Sequence, residues 1–481
     1  MNDLPLRFDR AVGNLVDGLV RRHHDRRLRR IGWERALEPT DDGLWASGEP
    51  EPRSGNEVRF LVDGAEALPR LAEELRRARS HVHLAGWHVS PYFRLEAGRR
   101  RTELKALLAE LAERIDVRVL VWAGSPLPLF RPDRQDVDGV RHALELGTRI
   151  RVATDRKERP MHCHHEKIVV IDDRVAFVGG IDLTTLGGDR LDVPGHPARG
   201  RLGWHDAAVA VRGPIVQDVA DHFRLRWQDV TRETLPPTQP SRRAGSTELQ
   251  FVRTVPEHVY DSLPGGDFRI LEAYTRALRS AQRLVYLENQ FLWSSEIVEI
   301  LKRKLERPPS EDFRVLLLLP SKPNSGGDDT RGQLADLIDC DRGAGRVLAC
   351  GLQALGGEGP QPVYVHAKIG IVDDRWLTIG SANLNEHSLF NDSEANVVTC
   401  DAELARATRL RLWSEHLVRP EADLDGEPAR VIDHVWKPIA EEQLARRRSG
   451  REPTHPVFRL PHLSRRARRL LGPLQGLLVD G

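Results

Sequence analysis

The sequence predicts an α/β protein of two similar sheet-and-helix lobes related by a pseudo-twofold axis. Three observations carry that expectation. Short apolar runs of strand character alternate with amphipathic helical stretches; the series occurs twice; and a segment without apolar periodicity, TRETLPPTQPSRRAG at 231–245, stands between the copies. Each copy opens with a helical pattern (68–79; 270–281) that runs into an apolar strand, VHLAGW or LVYLENQF. A second helix then leads to a second strand, VRVLVW at 117–122 or FRVLLLL at 313–319. A hairpin with a D-D-R turn follows in each copy, and each closes with a strand and a helix ending near a Trp. The register barely drifts: His366 follows His165 by 201 residues (366 − 165), and Tyr286 follows His83 by 203 (286 − 83). The expected boundaries are a basic helical extension at 1–50, a first lobe at 51–230, a linker at 231–250, a second lobe at 251–440 and an Arg-rich tail at 441–481.

A chain of 481 residues that is 40% hydrophobic is long enough for two sizeable cores. Lys plus Arg total 72 against 71 Asp plus Glu, so a net charge of +1 supplies no general attraction to nucleic acid or to anionic membranes, and no nucleic-acid partner is expected. Cys163, Cys340, Cys350 and Cys400 are scattered without CxxC spacing, which fits a reduced protein rather than a disulfide framework or a zinc knuckle. The opening MNDLPLRFDR carries acidic residues and reads as no secretory signal, and no segment reaches the ~18 to 20 uninterrupted apolar residues of a membrane span. The expectation is a cytoplasmic protein, monomeric because duplication within one chain removes the need for a partner subunit, and at most peripheral to a membrane. The Arg-rich stretches at 21–30 and 464–474 suit either an anionic lipid surface or solvated terminal helices packed on the lobes.

The chemistry concentrates in two segments, HHEKIVVIDDRVAFVGGIDL at 164–183 and VHAKIGIVDDRWLTIGSANLN at 365–385, which share the pattern HxKxxxxD. Composition alone would produce roughly 0.02 such patterns in the chain. In an extended strand residues two apart face the same side, so His165 projects with Lys167 and His366 with Lys368. Asp172 and Asp373 fall at the turns and on the other parity, which makes them structural acceptors. Only 8 of the 72 basic residues are Lys, yet both motifs keep one, and a compact ammonium suits a non-bridging phosphate oxygen. The hairpins return through small residues, including Gly180 in one and Ser381 in the other, that let backbone approach a bound group closely.

With these motifs the chain resembles the phospholipase D superfamily with duplicated HKD motifs, over roughly residues 57–413. It is most similar to the phosphatidylcholine-type phospholipases D, through HHEKxVVxD followed by GGxD, the second motif followed by GSANxN, the element LVYLENQF, and its first-half counterpart LAGWHVSPYF. The resemblance implies hydrolysis or transphosphatidylation of a glycerophospholipid headgroup ester, with water or an alcohol as acceptor and no cofactor. It implies that His165 is the nucleophile, forming a phosphohistidine, and that His366 is the general acid and later the base. The residues themselves leave that choice symmetric, since either imidazole can attack phosphorus while the other, protonated, serves the leaving group. Lys167 and Lys368, with Asn383 and Asp182, are expected to hold the phosphoryl oxygens, which makes a metal unnecessary. Family positions imply Asp206 and Glu394 as partners for the second ring nitrogens.

Asp182 departs from the Asn of many relatives, and an ionised acid there would repel phosphate unless it is protonated or turned toward Lys. Trp87, Trp204, Tyr286 and Gln290 sit beside the motif elements and are expected at the entrance, with core packing the alternative for the Trp residues. The run His162, Cys163, His164, His165 lacks a companion acid or Cys cluster for zinc, so His164 is expected to pack or hydrogen-bond beside the site. The Pro/Gly-rich loop at 189–204 is expected to contact an acyl chain or headgroup. Alternatives within the superfamily are a cardiolipin-synthase-like phosphatidyltransferase and a nuclease; outside enzymes, an inactive scaffold on the same fold.

Overall fold

In the computed structural model the paired apolar runs become two sheets with one strand order. Residues 4–461 are described apart from 98–101, 129, 160, 187–195, 199–201, 322–326 and 357–360, with side chains outside 4–16, 327–329 and 331. The first half contributes β1 (Arg53–Val62), β2 (His81–Gly86), β3 (Asp116–Trp122), β4 (Arg151–Asp155), β5 (Ile168–Ile171), β6 (Val175–Gly179), β7 (Gly203–His205) and β8 (Ala207–Arg212). The second contributes β9 (Thr247–Val255), β10 (Asp267–Phe268), β11 (Leu284–Glu288), β12 (Arg314–Leu318), β13 (Val347–Gln353), β14 (Pro362–Val365), β15 (Ile369–Val372), β16 (Trp376–Gly380), β17 (Glu394–Thr399) and β18 (Val457–Arg459).

The first sheet runs β1-β8-β6-β5-β2-β3-β4. The second runs β9-β17-β16-β15-β11-β12-β13. In both, the last three strands are parallel and the other neighbours antiparallel, because helices make the parallel crossovers and tight turns join the hairpins. The helix at Asp63–Arg76 buries Ala67, Leu68, Leu71, Ala72 and Leu75 at helical spacing, and the one at Arg269–Ser280 buries Ile270, Ala273, Tyr274, Ala277 and Leu278. The two sheets share a core: Val170, Val178 and Val209 of the first half belong to the same apolar cluster as Ile371, Ile379 and Val397 of the second. The protein is therefore a mixed α/β fold with sheet layers covered by helices. The break between halves is shorter than expected, since the helix at Ile215–Thr231 ends on Arg232 in the left-handed region and β9 begins at Thr247.

Both ends differ from the sequence expectation. Part of the basic stretch at 21–30 is spent inside the molecule: buried Arg27 donates to Glu257 (2.7 Å) and to the Phe390 carbonyl (2.9 Å), while buried His24 lies 2.7 Å from Glu296 and stacks on Phe390. That face docks the helix on the second half, which favours a packed terminal helix over a lipid-surface one. The Arg-rich tail does not start at 441. The helix at Lys437–Arg448 continues past it, buried Gln443 donates to Thr454 (2.8 Å), and β18 pairs with β13, so the second half extends to at least Arg459. The stretch 464–474 lies outside the described residues.

Replacing Arg27 with Ala leaves the Glu257 carboxylate in a buried position with Arg159 (3.2 Å) as its remaining ion-pair partner among the described residues, so urea unfolding should show a loss of about 3 kcal/mol. Arg29→Ala, which breaks half-exposed pairs with Asp25 and Glu38, should cost under about 1 kcal/mol in the same measurement.

Candidate active site

Each HxKxxxxD segment enters the hairpin β5–β6 or β15–β16, whose two turn residues have positive φ: Asp172 (56°) and Asp173 (49°), Asp373 (53°) and Asp374 (51°). This is the primed turn that matches the twist of the flanking strands. The Asp172 carboxylate accepts the backbone N–H groups of Arg79 (2.9 Å) and Ser80 (2.8 Å), and Asp373 accepts those of Gln282 (2.7 Å), Arg283 (2.8 Å) and Leu284 (2.7 Å). Burial would raise the pKa of Asp172, but these donors hold it below its ordinary value. Both aspartates tie the hairpin to the helix–strand junction that precedes β2 or β11, and neither reaches the histidines' end of the motif.

The histidines are held by an exchange between the halves. His165 Nδ1 lies 2.9 Å from Glu394 Oε1 of the second half, and His366 Nδ1 lies 2.7 Å from Asp206 Oδ2 of the first. The backbone follows the same rule. The His165 N–H donates to the Ser393 carbonyl (2.9 Å) and the His366 N–H to the His205 carbonyl (2.8 Å), each acceptor immediately preceding the acid that orients the ring. The register makes Asp206 and Glu394 equivalent, because Ala208 faces Gly179 as Asn396 faces Gly380. A carboxyl on Nδ1 fixes the tautomer and aims Nε2 into the site.

Around the imidazoles lie the groups expected to hold a phosphoryl group. Lys167 Nζ donates to the His165 carbonyl (2.6 Å) and stands 3.4 Å from Asp182 Oδ2; Lys368 Nζ donates to the His366 carbonyl and to Gln290 Oε1 (3.1 Å). Asp182 is thus turned toward Lys, which answers the repulsion an acid there would create. Asn383 Nδ2 shares Gln290 Oε1 (3.4 Å), while Asn383 Oδ1 and Asp182 Oδ1 are buried without a hydrogen-bond partner among the described residues. Gly180 is required sterically, since an added Cβ would collide with the Asp206 carboxylate and touch Lys368 Cδ at 3.3 Å. Burial, reinforced by nearby Lys167, pushes Lys368 down to about 7 despite the pull of Asp206, Glu394 and Asp182. Burial also pushes Glu394 up to about 8, against Lys167 and the hydroxyls of Ser381 and Ser388.

Two expected site residues take other positions. Ser381 is not a phosphate ligand: its hydroxyl donates to Glu394 and accepts the Ala395 N–H (3.0 Å), because the small residue lets the chain pass beside that buried acid. Tyr286 does not line an entrance. On the inward face of β11 it is fully buried, its hydroxyl donates to Glu288, and its ring packs edge-on to Trp413. Trp87 stacks on Trp122 in a small cluster with Cys163, whereas Trp204 covers His366 with ring centroids 4.4 Å apart and meets Tyr364, which Gln290 contacts. His164 is buried against Ser393 Oγ (2.6 Å) and Asp155 (3.1 Å). Most of the loop at 189–204 lies outside the described residues. Missed from the sequence was the ionic layer behind motif one, in which Arg226 bridges Glu166 and Asp155, His222 pairs with Glu166 (2.7 Å) and Tyr260 donates to Asp155 (2.6 Å). The signal was Glu166 itself, an acid inside an apolar strand entry that must find a partner.

An anion should relieve the burial of Lys368. Lowering a lysine pKa leaves it charged below about 7 and neutral above, so inorganic phosphate should raise the melting temperature most below pH 7. The shift should fade as pH rises through that value and vanish in Lys368→Met. An equal phosphate shift at pH 9, or in the variant, would contradict the assignment.

Residues 274–414 match the family model described as cardiolipin synthase, PLD-like domain. Phospholipase D A of Dictyostelium discoideum is 26% identical over 75% of this chain and 35% of its own length. Phospholipase D2 of Bos taurus is 26% identical over 81% of this chain and 56% of its own, and phospholipase D1 of Schizosaccharomyces pombe is 24% identical over 80% and 38%. The chain thus spans between about a third and just over half the length of these relatives. A crystal structure of phosphatidylserine synthase from Haemophilus influenzae aligns with a TM-score of 0.49 at 12% identity, over 81% of this chain and 94% of that one. With both motifs, their order and these relatives together, the chain is similar to the phospholipase D superfamily.

Proposed function

We propose that this chain is a phospholipid phosphodiesterase that exchanges a headgroup ester through a phosphohistidine, with water or an alcohol as acceptor. The observation that carries the reading is the crossed pairing of two motif histidines with Glu394 and Asp206, which fixes Nδ1 of each ring and so orients both imidazoles. His165 Nε2 attacks phosphorus as the bond to the headgroup oxygen breaks, and His366, protonated at Nε2, gives its proton to that oxygen. His366 then takes a proton from water or alcohol, whose oxygen attacks phosphorus and breaks the P–N bond. The choice of His165 as nucleophile rests on the family resemblance, since the crossed pairing treats the two rings alike. Lys167, Lys368 and Asn383 supply donors to the non-bridging oxygens as charge develops there.

The substrate in this reading is a phospholipid; no described helix is long and apolar enough to cross a membrane. A transferase using phosphatidylglycerol as donor and acceptor is the second reading, favoured by the description of the family model over 274–414.

Vesicles of phosphatidylcholine, phosphatidylethanolamine or phosphatidylglycerol, incubated with the protein with and without ethanol and without added divalent cation, separate the readings. Phosphatidylethanol is expected with ethanol and phosphatidic acid without it. Cardiolipin from phosphatidylglycerol alone would favour the transferase, and DNA cleavage without lipid turnover would reject both. His165→Ala and His366→Ala should each lower turnover by about 10³-fold or more, and full activity in either would sink the proposal. Asp206→Asn should preserve the fold and lose about 10³ to 10⁴-fold, because an amide favours the wrong His366 tautomer.

A further inference from the structure

Behind Asp206 lies a second cluster that the phosphoryl chemistry does not use. Asp63, His196, His205 and Glu415 each direct one ligating atom into a common space, with all four atoms within 4.8 Å of one another. His205 Nδ1 is 3.1 Å from Asp63 Oδ1, His196 Nδ1 is 3.8 Å from Asp63 Oδ2, and His196 Nε2 is 3.4 Å from Glu415 Oε1. Asp63, His196 and His205 are completely buried.

We infer that these four residues form a tetrahedral site for a divalent transition metal, Zn²⁺ fitting best, that clamps the two halves together next to the catalytic acid. Bonds of ~2.0–2.1 Å to nitrogen and oxygen place tetrahedral ligands about 3.3 Å apart, a spacing that fits inside the 4.8 Å bounding the four ligating atoms here. A second observation points into the same space. Asp63 Oδ2 and Glu415 Oε1 are buried carboxylate oxygens with no hydrogen-bond partner among the described residues, and two such orphans beside two imidazoles are costly unless a cation answers them. The surroundings match what a metal-bound imidazole requires on its far side. His205 Nε2 lies 2.7 Å from Glu288 Oε2, and Glu288 is fixed in turn by His416 (2.9 Å) and the Tyr286 hydroxyl. A carboxylate on the outer nitrogen sets the tautomer that leaves Nδ1 free to bind. Two imidazoles and two carboxylates suit zinc better than magnesium or calcium, which prefer all-oxygen shells.

The site reaches the active centre through backbone, not through substrate. Asp63 Oδ1 accepts the Asp206 N–H (2.9 Å), the Asp63 N–H donates to the Asp206 carbonyl (2.8 Å), and the His205 carbonyl takes the N–H groups of both His366 (2.8 Å) and Ala367 (3.0 Å). Three ligands come from the first half and Glu415 from the helix at Ala402–Leu417 of the second, so the ion would pin the junction from which Asp206 orients His366. Its role is positioning, and it stands independently of which phosphodiester is turned over.

The test is metal analysis of the full chain produced in zinc-supplemented medium and dialysed against metal-free buffer. About one zinc per folded chain is expected, and the metal-free protein refilled with Co²⁺ should show the intense visible absorption of four-coordinate cobalt. Glu415→Gln should lose most of the metal under the same dialysis, and removing zinc from the unaltered chain should lower its melting temperature, with recovery on re-addition. Less than about a tenth of an equivalent in the folded unaltered chain, with no thermal response to added zinc, would overturn the inference. So would a folded Glu415→Gln chain that retains a full equivalent, which would put the metal elsewhere.

Discussion

Each histidine is oriented by an acid that belongs to the other half of the chain, and the rest of the structure serves that exchange. Neither half holds a complete imidazole–carboxyl pair: His165 needs Glu394 and His366 needs Asp206, over sequence separations of 229 and 160 residues. The backbone repeats the exchange one residue earlier, and β7 of the first half pairs in parallel with β14 of the second, so the rings cannot move without moving a sheet edge. Pre-organisation of this kind is what electrostatic catalysis requires, because donors already in place cost no reorganisation when charge develops.

Burial carries a penalty that the fold distributes. Lys368 is fully buried and held near 7, Glu394 is fully buried and held near 8, and each is displaced in the direction that neutralises it. Opposed displacements of this kind within one cleft are consistent with a site that handles charge. The ionic layer of Arg226, Glu166 and Asp155 behind motif one, with the pairing of Glu288 to His205 and His416, shows how the fold keeps further buried charges in matched sets. These sets sit behind the strands that present the histidines, where a charge-matched backing helps to fix ring positions.

Much of this was legible beforehand because it depends on short-range periodicity. The repeat of strand and helix patterns corresponds to two sheets of identical strand order, and the D-D-R turns form the hairpins the alternation called for. Reading failed where a residue's partner is distant. Tyr286 shares the strand parity of the residues around it, and nothing local says that its face of β11 packs on Trp413. Ser381 has the small polar character of a phosphate ligand, but its hydroxyl is claimed by an acid thirteen residues on. The boundary at 441 misled because Arg-rich composition dominates a segment whose Gln443 and Val457 are completely buried.

By itself the sequence determined the pairs. Strand alternation puts His165 with Lys167 and His366 with Lys368 on one side, and the parity of Asp172 and Asp373 removes them to the turn, whatever the tertiary arrangement. Only the tertiary structure decided which acid faces which imidazole, that Ser381 and Ser388 serve Glu394, and that Asp63, His196, His205 and Glu415 converge on one point. The physical reason is that alternation fixes directions relative to a strand's own axis, whereas those contacts depend on how two sheets dock through a shared core, and docking is set by the summed packing of many residues rather than by any local pattern.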